Sequence, residues 1–195
     1  MTAKEALMDG RFFPCTLSRR DRRGTLAAIV FIAAVLLALI GLATVVAIAS
    51  GDRAAKLMLI LVISIAAIIS GFLYAVARYA PKGCRIDRDG ISIVRRNGKS
   101  ILLPAQEIQS VEPAGRERFH ERMRVVGVGG LFGSWGWFWN PDLYDFHGYV
   151  TNDSLVLIHT AHQGPFLISP DARDEFIACA TKTFNLSPRP ATPSE

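Results

Sequence analysis

The sequence predicts an α+β membrane protein: a two-helix transmembrane hairpin followed by an antiparallel β-barrel or sandwich with a C-terminal α-helix. Three observations lead there. Two long stretches carry no charge, the following hundred residues break into short β-like runs joined by tight turns, and a helical period returns near residue 170. Half of the 195 residues are hydrophobic, and the excess is concentrated in the two uncharged stretches.

The first stretch lies between Arg23 and Asp52 and the second runs from Leu57 to Ala77. A membrane-crossing helix needs about 20 apolar residues, and a core helix of a soluble domain would show a polar stripe. Both stretches are apolar all round, which predicts spans over 25–50 and 56–79. Residues 1–24 then form a basic cytoplasmic arm, expected to be poorly ordered. Up to Lys82 the chain holds 10 Lys+Arg against 4 Asp+Glu, and from Gly83 onward 12 against 13. The basic character therefore belongs to the membrane flanks. A nearly neutral C-terminal domain argues against nucleic-acid binding. Arg11, Arg19, Arg20, Arg22 and Arg23 precede the first span and Arg78, Lys82, Arg85 and Arg88 follow the second, whereas the connecting loop holds only Arg53 and Lys56. The positive-inside tendency then puts both termini of this multi-pass chain in the cytoplasm and the short loop outside.

The apolar run before "AIA" at Ala47–Ala49 is too long for a signal peptide, and the twin arginine of "SRRDRRG" is followed by charge. Both read as ordinary anchors. Neither helix interior carries an ionisable residue of the kind transport requires. Small residues recur at Ala43 and Ala47 on the first helix and at Ala67, Gly71 and Ala75 on the second. They predict packing within the hairpin, with homo-oligomerisation as the alternative. Cys15, Cys84 and Cys179 are far apart in sequence and have no CxxC spacing, which predicts free thiols and no metal.

From Gly83 the pattern is β. Asp89-Gly90 and Asn97-Gly98 mark hairpin turns between strands near 84–88, 91–96 and 99–103. "PAQEIQSVEPAG" contains a short helical or strand segment. "RMRVVGVG", "FHGYVT", "SLVLIHT" and "GPFLIS" supply further strands, giving about seven in all. In "SPDARDEFIACATKTF", Ser169 can cap and Pro170 suits the first turn of a helix. Its core face would carry Phe176, Ala180 and Phe184. "NLSPRPATPSE" over 185–195 is a Pro-rich tail expected to be disordered.

"IDRDGISI", "LLPAQEIQSVE", "GVGGLFGSWGWFWN", "YVTNDSLVLI" and "FLISPDARDEF" together resemble the bacterial pleckstrin-homology-like domain family over roughly residues 83–184. The resemblance implies a seven-stranded, two-sheet barrel capped by a helix, with no enzymatic activity and no cofactor. It leaves the binding partner open.

The residues themselves offer no catalytic constellation. "GVGGLFGSWGWFWN" holds five of the sixteen glycines and all three tryptophans. It lacks the lysine of a phosphate loop, and Phe132 replaces the third glycine of a dinucleotide motif. His159 and His162 read as solvated turn residues. Trp135, Trp137 and Trp139 are spaced by two and so share one strand face. Core packing is the leading expectation for them, followed by a protein-binding surface that includes Phe132, and then by bilayer contact. Arg95, Arg96 and Lys99 flank the Asn97-Gly98 turn. A solvated hairpin end is the leading expectation there, and a tip facing anionic lipid is the alternative. The function expected is that of a non-enzymatic, membrane-anchored protein-interaction or scaffold module, with lipid binding as the second reading.

Overall fold

The computed structural model describes residues 10–115, 123–130, 132–141 and 144–186. Two apolar helices, α1 (Arg19–Ser50) and α2 (Arg53–Tyr79), pack side by side as a hairpin. Ser18 caps α1: its hydroxyl accepts the Asp21 N–H at 3.1 Å and donates to the Asp21 carboxylate at 2.8 Å. Gly51 ends the helix in the left-handed conformation that glycine adopts without strain. Only 6% and 11% of the most apolar stretches of α1 and α2 are buried within the protein. They are therefore not core helices. Phe31, Leu37, Ile48, Ile68 and Phe72 all stand exposed. The hydroxyls of Thr44, Ser50 and Ser64 each donate to the carbonyl four residues back, which satisfies them without water.

The small-residue expectation divides between the two helices. Ala43 and Ala47 are buried where the helices pack, and Ala66 and Val76 are the buried residues of α2. Ala67, Gly71 and Ala75 are exposed, so the second stripe does not serve hairpin packing. Rotating a helix by one residue, about 100°, is enough to turn a face outward.

The strands form two sheets, so the domain is not a closed barrel. The first joins β1 (Arg11–Pro14), β2 (Pro81–Ile86), β3 (Gly90–Arg95) and β4 (Ser100–Pro104) in that order. A single 3₁₀ turn, Ala105–Glu107, leads into β5 (Ile108–Pro113). Then follow β6 (Met123–Gly129), β7 (Ser134–Asn140), β8 (Tyr144–Val150), β9 (Val156–Thr160) and β10 (Phe166–Ile168). The second sheet has the order β5-β9-β10-β8-β7-β6. The expectation of purely antiparallel pairing fails at one place. The short β9–β10 hairpin folds back so that β10 enters between β9 and β8 and runs parallel to β8.

Strand β1 corrects the expectation of a poorly ordered arm. It lies before the helices yet pairs antiparallel with β2 after them, Phe13 opposite Cys84. Phe13 is 2% exposed and meets Phe176 edge-on at 5.1 Å. The arm is held because its alternate residues, Phe13 and Cys15, complete the core.

That core lies between the sheets and α3 (Arg173–Phe184), and contains Ile91, Ile93, Val156, Ile158, Phe166, Ile168, Phe176 and Ala180. Burying each large side chain contributes about 1.5–3 kcal/mol. The alternate residues Phe138, Phe146, Leu157 and Leu167 form a second cluster on the other face of the second sheet, as the two-residue strand period requires. The helix face of Phe176 and Ala180 is as expected, with Phe184 and Ile177 half-buried beside it. Ser169 does not cap α3: the residue before the helix is Ala172, which makes no side-chain cap. Leu186 also packs on the core, so ordered structure runs past Phe184. The expected tail over 187–195 and the first nine residues of the arm lie outside the described residues.

Candidate functional site

The glycine-tryptophan stretch forms the end of β6, the turn and all of β7 in the β6–β7 hairpin. Gly127 and Gly136 stand opposite each other. A Cβ on Gly127 would come within 2.8 Å of the Gly136 Cα, and one on Gly136 within 2.6 Å of the Gly127 Cα. These two glycines thus let two backbones approach where any side chain would force them apart. The turn is tight enough to hold Phe132 at φ 60°, a strained region for a residue with a side chain.

Trp135, Trp137 and Trp139 do share one face, opposite Tyr149, His147 and Asp145 of β8. Core packing, however, accounts for only the first. Trp135 is half-buried against the main core, whereas Trp137 is 41% and Trp139 37% exposed. Their β6 neighbour Val126 is 65% exposed. The sheet face continues past the point where the core ends. His147, opposite Trp137, stacks on Phe166 at 4.9 Å. Partial burial lowers its pKa, against an opposing pull from the Asp145 carboxylate.

The cations around Asn97-Gly98 do not act as one tip. Arg95 turns inward: its guanidinium lies 5.8 Å over the Tyr149 ring and donates to the Tyr149 hydroxyl at 3.4 Å. Lys99 is exposed. Arg96 leans 5.9 Å over the Phe132 ring, and its backbone N–H donates to the Ala80 carbonyl at the end of α2. The β6–β7 turn meets the start of α1 in the same region. The Phe132 N–H donates to the Thr25 hydroxyl, which donates in turn to the Gly130 carbonyl, both at 3.4 Å. Two hairpin turns therefore rest on the two helix ends.

A family model of the Bacterial PH domain matches residues 82–183, just over half of the chain. The chain belongs to the bacterial PH domain family. Neither a curated protein nor a solved structure matches it. The PH match starts after the helices, so β1 lies outside it even though β1 completes the first PH sheet. The motif segments of the PH domain hold this added strand in place. The Asp171 carboxylate accepts from the Thr16 N–H at 2.9 Å, the Thr16 hydroxyl at 3.0 Å and the Asn152 amide at 2.8 Å. The Ser18 N–H donates to the Thr151 carbonyl, and Thr151 is held by the Ser169 hydroxyl at 2.7 Å. Ser169, expected to cap a helix, instead joins Asp171 in clasping the arm just ahead of α1.

One polar pair in the PH domain escaped sequence reasoning. His159 is a strand residue, half-buried, and meets the buried Glu112 carboxylate at 3.2 Å. Nothing local signals it, because the pairing depends on the β5–β9 register, which contains an irregularity between Ile108 and Ser110. His162 is exposed in the following turn, as expected.

Proposed function

We propose that the chain is a non-enzymatic inner-membrane protein in which the helix pair anchors a cytoplasmic PH domain, and that the domain docks a protein partner on its tryptophan face. The observation that carries the docking reading is the exposure of Trp137 and Trp139 beside Val126 on a sheet face that is core elsewhere. Aromatic side chains with large accessible area are the usual anchors of protein interfaces. Bilayer contact is the weaker reading for this pair. Trp137 and Trp139 lie five and seven residues beyond Phe132 at the helix junction, about 17–24 Å along an extended strand.

Anchoring is supported by helix lengths of 32 and 27 residues, against about 20 needed, and by their outward apolar faces. The arginines in the first turns of α1 and those at and beyond the end of α2 favour cytoplasmic ends. A photo-crosslinking amino acid at position 137 of the full chain, in its native membrane, tests the docking face. A discrete protein adduct at 137 that is missing with the same probe at the exposed Lys182 position is the expected result. Absence of any adduct at 137, or equal labelling from both positions, would sink the reading.

A further inference from the structure

We infer that the cavity at the base of α1 is a binding site for the phosphate headgroup of an anionic phospholipid, with Arg22, Lys82 and Arg96 as its cations. The inference rests on the anchored reading above and concerns a different surface from the tryptophan face. The cavity encloses about 430 Å³ between the arm, the first turns of α1, the start of β2 and the two hairpin turns. Its lining brings together one cation from each of three chain segments and contains no carboxylate. The acids nearest it do not pair with these cations: Asp21 bonds Ser18, and Asp171 bonds the lining residue Thr16 and Asn152. Among the described residues none of the three cations has an ion-pair partner. Three cations without ion-pair partners, each also open to solvent, give the cavity a positive field that favours an anion.

The apolar half of the site points to a lipid as the source of that anion. Arg22, Leu26 and Ile29 are four and three residues apart and so lie along one face of α1. All three line the cavity together with Phe132. Moving up that face by about 10 Å takes the surface from guanidinium to exposed aliphatic side chain, with Leu26 64% exposed. A phospholipid makes the same transition between its phosphate and its acyl chains. A free inorganic phosphate would use the cations and leave Leu26, Ile29 and Phe132 without a role. The site is also held in shape. Thr25 is buried and bonded to the β6–β7 turn, Cys15 N–H donates to the Lys82 carbonyl at 3.1 Å, and Arg96 is positioned over Phe132.

The test uses the full chain in detergent micelles, with lipid retention read by native mass spectrometry. Phosphatidylglycerol is titrated against the wild type, Lys82→Gln, Arg96→Gln and the triple Arg22→Gln, Lys82→Gln, Arg96→Gln variant. Each single loss is expected to weaken retention about fivefold, and the triple on the order of a hundredfold. Phosphatidylcholine should be retained no better by the wild type than by the triple variant. Millimolar inorganic phosphate should leave phosphatidylglycerol in place. The double variant Arg85→Gln, Arg88→Gln, which removes exposed cations outside the cavity, should behave as wild type. Protection of the Cys15 thiol in each variant shows that the junction has kept its shape, and variants that lose it are replaced by the single substitutions. Equal retention of phosphatidylglycerol by wild type and variants overturns the site, as does equal retention of phosphatidylcholine or displacement by phosphate. Carbonate extraction of cell membranes separates the two levels. A chain released into the soluble fraction overturns anchoring and site together, whereas a retained chain with unchanged lipid binding overturns the site alone.

Discussion

Cys15 and Cys84 are separated by 69 residues, yet their sulfurs lie 3.9 Å apart between β1 and β2. Both thiols are buried. The contact with Cys15, and then burial itself, push the Cys84 thiol well above its ordinary range, so it stays protonated and unreactive at neutral pH. Cys179 is only half-buried. In the native protein a maleimide should therefore label Cys179 alone, and all three cysteines after unfolding, as read by intact mass. Labelling of Cys15 at the rate of Cys179 would show that β1 is not docked. His147 gives a pH-dependent counterpart. Its folded pKa is lowered by burial, so the fold favours the neutral ring. The resulting stability is fully present above the ordinary histidine value of about 6.5 and is lost as pH falls from there toward the lower folded value. His147→Gln should flatten that part of the stability–pH curve, and NMR should show His147 titrating below the ordinary histidine value. Unchanged slopes would remove the assignment.

At the level of elements, β1 shows how far short a four-residue strand falls of announcing itself. Phe13 is 2% exposed and Phe12 41%, as alternation along a strand requires. Phe13→Ala should cost about 3–5 kcal/mol in denaturant unfolding of the full chain, and Phe12→Ala well under half as much. Equal effects would mean that the strand is not seated as described. "RFFP" was not legible as a strand because its partner lies beyond both helices and no local turn connects the two. The helices themselves were legible, since a helix apolar on every face has no side to turn toward water. The Asn97-Gly98 turn was legible from its dipeptide: Gly98 takes φ 82°, which glycine supplies without strain. At Asp89-Gly90 the hairpin was foreseen but not its chemistry, because the Asp87 carboxylate accepts both the Asp89 and the Gly90 N–H. The shared face of the three tryptophans followed from period two. Which of them are exposed did not, because that depends on where the core ends against the second sheet.

For the whole molecule, the pairing of β1 with β2 constrains orientation independently of charge. A strand before the helix pair and a strand after it can join one sheet only if both helix ends emerge on the same side. Reporters fused at the N- and C-termini should therefore signal the same compartment, and one inserted at Gly51–Asp52 the opposite one. Opposite signals from the two termini would contradict the fold itself, whereas two periplasmic termini would contradict only the arginine-based orientation. The same pairing has a consequence for synthesis. The strand made first waits without a partner until both helices and residues 81–86 have followed. Closing so long a loop in a free chain is entropically costly, and the packing of α1 against α2 brings its two ends together. With the helices as membrane spans, as proposed, a chain that inserts only one would leave β1 and β2 on opposite sides, with the outer edge of β2 unpaired and open to other chains. On the proposed membrane anchoring, completion of the first sheet thus acts as a built-in check that the hairpin has been threaded correctly.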